Sequence, residues 1–400
     1  MTGLPVEFLL FGCTLLGVAV LHRHTLAVAL LGLAAIVAFK LIFGDFHGQP
    51  GWLGLLWHLE EEWVTLANLF ALLVGFAVLS RHFEQSHAPH FMPRILPDDW
   101  KGGLVLLALV FVLSAFLDNI AAAMIGATLA ATVYRQKVHL GFLAAIVAAA
   151  NAGGAGSVVG DTTTTMMWLD GVSPLTVLKA FVPAIVAFCV FAIPAARQQQ
   201  RLSPIQRDPQ PGLQLDWPRL VVVLVILVCA ISANVYANTL PAELAGAFPY
   251  IGATVVGVIL LLTPWRRPDW QVVFPAVQGS VFLLSLVLAA SLMPVDELPV
   301  PSAQTTFGLG AVSAVFDNIP LTKLALDQGG YDWALLAYAV GFGGSMMWFG
   351  SSAGVAVSNL FPEAKSAGQW LRQGWHVAVG YVVGFAVYLL LLGWHPSPAH

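Results

Sequence analysis

Apolar residues fall in long blocks along this chain, with polar residues gathered between them. The blocks predict helical spans at about 5–21, 25–43, 63–80, 139–169, 175–194, 219–236, 247–264, 274–293, 333–360 and 373–394. Two other stretches, 103–133 and 302–327, carry an apolar arm, a polar tip ("LDNI", "FDNI") and a second arm. An arm of about 15 residues reaches ~22 Å as a helix, short of the ~30 Å hydrocarbon core. We read both as re-entrant hairpins; two tilted full spans are the alternative. The pattern therefore predicts an all-α polytopic membrane protein of about ten spans plus two hairpins.

One span breaks the apolar rule. "NAGGAGSVVGDTTTTMMW" (151–168) puts glycines, an aspartate and four threonines in the middle of a membrane segment. A helix in lipid can break only where its freed backbone groups face protein or water. Gly153, Gly154, Gly156 and Gly160 supply the break, and a second half-helix is expected to restart near Asp161. "GFGGSMMWFGSSAG" (341–354) repeats the device with Gly343, Gly344 and Gly350.

These pairings extend to the chain as a whole. "SAFLDNIAA" (114–122) matches "SAVFDNIPL" (313–321), and Gly153, Gly154 and Gly160 align with Gly343, Gly344 and Gly350. A rival register lays the two "MMW" strings over each other. The glycine register is preferred, because backbone geometry constrains glycine more than apolar residues. Five spans separate the hairpins, so the second enters from the opposite face. The chain reads as two inverted repeats, 1–200 and 219–400, joined by a cytoplasmic linker at 201–218. Transporters are often built this way, with two broken helices meeting at the midplane.

Charge fixes an expected orientation. With the loop after the third span inside, fourteen of the 17 Lys and Arg lie on the cytoplasmic side. Lys40, Lys179 and Lys323 lie within apolar segments. The outer loops are expected to hold Glu60, Glu61, Glu62, Asp170, Glu243, Asp296 and Glu297, and both termini are predicted outside. Trp63, Trp100, Trp217, Trp265, Trp333, Trp375 and Trp394 fall at span ends, where indole rings suit the headgroup region.

Composition agrees: 58% of the 400 residues are hydrophobic and 10% charged, where a soluble domain has about a quarter charged. The net charge of −4 offers no basic face for nucleic acid. Cys13, Cys189 and Cys229 sit in apolar runs and read as small buried hydrophobes. "MTGLPVE" has no basic n-region, so no cleaved signal peptide is expected.

The candidate chemistry lies in the buried acids. Asp118, Asp161 and Asp317 are each predicted deep in the membrane, where an isolated charge costs roughly 2.5–3.5 kcal/mol. Such a carboxylate is protonated or sits beside a cation. Hard cations take the same oxygen ligands, so proton and metal ion compete for one site. The alternative role is capping, since each acid precedes an expected helix start. Asn119 and Asn318 can cap or orient ligands; Thr162 to Thr165 can offer hydroxyls or back-bond to the preceding turn. Asp161 has Ser351 opposite it and Asn151 has Gly341, so the first half is richer in cation ligands. Lys323 beside the second tip can neutralise Asp317 or Asp327, attract an anion, or snorkel. His22 with His24, and His87 with His90, have loose metal-like spacing without an evident third ligand; His58 beside the glutamates is a candidate pH sensor.

"LDNI", "NAGGAGSVVGDTTTTMMW", "FDNIPL" and "GSMMWFGSSAGVA" resemble the signature regions of NhaD-type sodium/proton antiporters. These belong to the ion transporter superfamily, with arsenite permeases and citrate or dicarboxylate carriers. The resemblance covers about residues 55–390. It implies a homodimer in a bacterial inner membrane, with a scaffold part and a transport part moving as an elevator. It implies no cofactor, with Na+ or Li+ and H+ as transported ions. The implied ion site is Asp118, Asn119, Asn151, Ser157, Asp161 and Thr162, with Na+ or Li+ at Asp118, Asn119 and Asp161. Asp317, Asn318, Ser351 and Ser352 form the implied counterpart. The chain departs from the family at Lys323, where a small or apolar residue is expected, and near Ser80, where the antiporters carry an acid.

The leading expectation is thus a secondary transporter, an Na+(Li+)/H+ antiporter and not an enzyme. A cation- or proton-coupled carrier of a carboxylate or oxyanion is the second reading. An intramembrane aspartyl protease is a remote third: "VVGD" lacks the first glycine of a GxGD motif, and "YD" (331–332) falls at a predicted membrane edge. An ATP-driven pump would need its Walker A motif on another chain.

Overall fold

The computed structural model describes residues 5–21, 24–46, 49–88, 96–158, 160–205, 215–237, 240, 244 and 247–397. The fold is mostly helical; a two-residue antiparallel ladder, Asp45–Phe46 with Gln49–Pro50, is added to the expected helices. Among the described residues, four helical stretches are long and apolar enough to cross a bilayer: Thr25–Phe43, Gly51–Gln85, Pro174–Leu202 and Trp270–Ser291. Ala367–Gln373 and Trp375–Leu391 together make a fifth, bent by 63°. Shorter apolar helices account for the remaining expected spans. Leu31, Phe43, Leu261 and Leu390 are among many large apolar side chains left exposed, as lipid-facing surface requires.

The chain forms two compact units. The first comprises Met1–Arg81, Val221–Pro299 and Ile319–Gln328. Its 35-residue helix Gly51–Gln85 corrects the sequence expectation, because Glu60, Glu61 and Glu62 lie within it and not in a loop. No Gly, Pro or Asn interrupts "LLWHLEEEWVTLA", and glutamate is a good helix former, so helicity continues past the end of the apolar run. Lys40 is buried in this unit. It donates to the Leu292 carbonyl at 2.8 Å and lies over the Phe46 ring.

The second unit comprises His82–Leu220, Val300–Asn318 and Gly329–His400. At its centre are two helices buried along their whole length, Leu140–Gly154 and Trp333–Gly343. Both are apolar on every side, which suits a helix enclosed by others. Helices Trp100–Ser114, Phe181–Leu202, Ala303–Ser313 and Trp375–Leu391 pack around them. Phe181–Leu202 runs on through "ARQQQRL", so Arg201 and Leu202 of the expected linker are helical; residues 206–214 of that linker lie outside the described residues. The Gln199 side chain at this end is buried, donating to the carbonyls of Lys137 and Ser203 and accepting from the His139 amide.

Cys13 and Cys189 are exposed and Cys229 is half-buried. In a membrane protein an apolar run does not say which side faces lipid, so the expectation of burial fails.

Candidate functional site

Each expected hairpin consists of two helices with a short break between them. Trp100–Ser114 is followed by Asn119–Val133, and Ala303–Ser313 by Asn318–Gln328. The spans beside them are broken as the glycines predict. Leu140–Gly154 stops and Thr162–Leu169 restarts; Trp333–Gly343 passes through a 3-10 turn at Gly344–Met346 and Ser352–Leu360 restarts.

The glycines serve close approach more than flexibility. A Cβ on Gly153 would run into the Phe111 carbonyl, and a Cβ on Gly343 into the Gly310 carbonyl. Likewise Gly160 lies against the Ser114 carbonyl and Gly350 against that of Ala314. Each break is thereby pressed onto or beside the end of the helix that precedes its "DNI" segment, Trp100–Ser114 or Ala303–Ser313. Gly153 lies over Gly343 in the glycine match, and Phe111 over Gly310 in the separate match of the "DNI" segments.

Threonines fasten the first break. The Thr164 hydroxyl donates to the carbonyls of Ser157 at 2.6 Å and Asp161 at 2.9 Å. The Thr165 hydroxyl donates to those of Val158 and Asp161, both at 2.9 Å. The Ser157 and Asp161 carbonyls also accept from the amides of Gly160 and Thr165, so the hydroxyls add a second donor that holds the turn together. The Ser157 hydroxyl donates to the Ala115 carbonyl at 2.6 Å, so it ties the break to the hairpin tip.

Asp161 and Ser351 occupy equivalent N-cap positions with similar extended backbones, φ −140° and ψ 138° against φ −144° and ψ 153°. Their side chains act differently. Ser351 caps its helix, accepting from the Gly354 amide at 3.2 Å. The Asp161 carboxylate closes no capping bond, although the Thr163 amide and hydroxyl face it. Its Oδ1 accepts from Asn119 Nδ2 at 3.2 Å. Its Oδ2 is buried, and no described donor meets it with hydrogen-bond geometry.

From Asp161 a chain of polar groups crosses the unit. Asn119 Nδ2 donates also to Asn151 Oδ1 at 3.2 Å. Because a carboxylate only accepts, its amide orientation is fixed, and Asn151 must present Nδ2 on its other side. That Nδ2 donates to Ser345 Oγ at 2.9 Å and Ser351 Oγ at 3.2 Å. Asn119, Asn151, Asp161 and Ser351 are all buried, Asn151 completely. Leaving any of them unpaired would carry a large desolvation penalty.

The remaining expected residues stand around this chain. Asn318 Nδ2 donates to Thr163 Oγ1 at 2.8 Å, joining the second hairpin tip to the first broken span. Ser352 Oγ donates to Asp317 Oδ2 at 3.1 Å, a pair outside the central chain. Asp118 is half-buried and takes the capping role, accepting from the Ile120 amide at 3.2 Å. Thr162 is half-buried at the first position of its helix. Ser345 belongs to the network without having been singled out from sequence, whereas Thr163 was among the threonines expected to offer hydroxyls. Ser345 falls opposite Ala155 in the repeat, so the other half offers no polar residue that would point to it.

Lys323 meets one of the partners expected from sequence, Asp327, and adds one that was not, Glu62. Its ammonium pairs with Asp327 at 2.8 Å and with Glu62 at 2.7 Å, within the first unit. Among the described residues no group of three or more His, Cys, Asp or Glu could hold a metal ion; His22 and His90 lie outside them.

Residues 13–343 match the family model described as citrate transporter. The chain belongs to the citrate transporter family. As a member of this family of transporters within the NhaD-type ion transporter superfamily, it is not an enzyme. It is 29% identical to sodium/proton antiporter 1 of Arabidopsis thaliana over 335 residues, 74% of this chain and 56% of that protein. It is 29% identical to sodium/proton antiporter 2 of the same plant over 288 residues, 62% of this chain and 67% of that protein. With the Na(+)/H(+) antiporter NhaD of Vibrio cholerae it shares 26% over 330 residues, 71% of this chain and 69% of that protein. The chain thus spans little more than half of the first of these relatives.

Proposed function

We propose that this protein exchanges Na+ or Li+ for H+ across a bacterial inner membrane by alternating access. The observation that carries the reading is the Asp161 carboxylate, buried at a helix break, with Oδ1 held by Asn119 and Oδ2 met by no described donor in hydrogen-bond geometry. A proton on Oδ2 neutralises the acid; a hard cation does the same with oxygen ligands around it. One occupant excludes the other, so a transporter that moves with either bound runs as an exchanger. Asn119, Asn151, Ser157, Thr162 and Asp118 are assigned to the first half-site, and Asp317, Asn318, Ser351 and Ser352 to its counterpart.

In this reading the helix pairs at 103–133 and 302–327 are re-entrant hairpins of two inverted repeats, 1–200 and 219–400, and both termini lie outside. The two compact units correspond to a scaffold and a moving transport part, and the protein works as a homodimer in an elevator-like cycle. The names of the antiporter relatives support the choice of ions.

A second reading follows from the family's description, citrate transporter. In it the restarting half-helices would cradle a carboxylate or oxyanion, driven by Na+ or H+. Purified protein in liposomes with an internal pH dye separates the two. Na+- or Li+-driven proton movement without any anion supports exchange; movement that requires citrate or another carboxylate supports the carrier.

A further inference from the structure

No neighbouring backbone holds Gly341 to glycine; the one tight contact that a side chain there would make is with Asp161. Gly341 lies in the middle of helix Trp333–Gly343, fully buried, and is not among the glycines with positive φ. Alanine would favour the helix there. Unlike Gly153 and Gly343, it does not lie against another backbone. A Cβ at this position would meet two atoms within 4 Å: the Ala155 side chain at 3.8 Å and Asp161 Oδ2 at 3.1 Å. The first is ordinary contact. The second is the buried carboxylate oxygen that no described donor meets. Asn151 holds the matching place in the first half, and there the side chain is a member of the polar network.

We propose that Gly341 is a specificity-determining residue, whose missing side chain leaves room for a cation on Oδ2 of Asp161. The proposal rests on the antiporter reading above. Hard cations of this size range take oxygen ligands at about 2.0–2.6 Å and bring further ligands with them. A methyl group on Gly341 takes up that space or pushes the carboxylate aside. A proton needs far less room, and Li+ needs less than Na+. A methyl here discriminates against Na+ first, Li+ next and H+ least.

The test uses the full chain in liposomes, comparing the parent with Gly341→Ala and Gly341→Ser. Gly257→Ala, at a helical glycine with nothing within 4 Å, is the control. Initial exchange rates give KM for Na+ and for Li+, and thermal melts of the purified proteins establish folding. The expected result is a folded Gly341→Ala with KM for Na+ raised about tenfold, the effect of losing one hydrogen-bond-sized interaction, and KM for Li+ raised less. Gly341→Ser changes the ratio in the same direction and supplies the answer if the alanine variant does not accumulate. Variants that keep the parent's ratio of the two KM values overturn the role of Gly341 alone. A parent that exchanges neither ion overturns the antiporter reading and this proposal with it.

Discussion

Asn119 Nδ2 donates to Asp161 Oδ1 at 3.2 Å, and so fixes one oxygen of a buried carboxylate while no described donor meets the other in hydrogen-bond geometry. The bond joins the tip of the first helix pair to the restart of the first broken span. It sets which oxygen is available for exchange. Asn119→Ala should raise the apparent KM for Na+ by about ten- to a hundredfold, the scale of a hydrogen bond to a charged group. Combining it with Asp161→Asn should add nothing to the loss caused by Asp161→Asn alone. Initial rates of Na+-driven proton movement in the three variants check this.

The close approaches at Gly153 and Gly343 repeat one another, each against the first helix of its own pair. Gly153→Ala and Gly343→Ala should therefore cost similar stability, about 1–3 kcal/mol as overpacking usually does. Gly308→Ala, with open space around it, should cost far less. Detergent-solubilised thermal melts of the three variants decide the matter; a tolerated Gly153→Ala would contradict the geometry.

The double back-bonding of Thr164 holds the broken segment at Ser157 and Asp161. Thr164→Val keeps the shape and loses both bonds, and should destabilise the protein by about 1–3 kcal/mol. Thr164→Ser should restore most of that, because the hydroxyl is retained. Thermal melts again provide the measure.

Lys323 sits between Glu62 and Asp327 with little solvent around any of them. Lys323→Met leaves two carboxylates facing each other and should destabilise the protein by about 3–5 kcal/mol, as breaking a buried pair does. Adding Glu62→Gln and Asp327→Asn should recover much of the loss. Expression and thermal melts of the single and triple variants test the sign.

Much of this arrangement was legible in the sequence. Glycine spacing located both breaks, because a close backbone approach admits no side chain and so leaves a compositional mark. The polar residues Asn119, Asn151, Asp161 and Ser351 stood out because they interrupt apolar runs. What pairs with what was not legible. Nothing in "DNIPLTK" points to Glu62, which lies 261 positions away along the chain. The end of an apolar run also did not mark the end of a helix at Glu60–Glu62. Whether Asp118 or Asp161 caps its helix depends on side-chain direction, which sequence spacing leaves open; Asp118 does so and Asp161 does not.

Competition at Asp161 is the central claim, and the dependence of KM for Na+ on pH tests it most directly. Everted vesicles or liposomes carrying the parent protein would be assayed across a range of pH, with Asp161→Asn beside them. If proton and Na+ share one carboxylate, KM for Na+ should climb about tenfold for each unit of acidification once the proton dominates, as mass action requires. Asp161→Asn should be folded and inactive. A KM that stays constant with pH, or an Asp161→Asn variant that exchanges like the parent, would contradict the account.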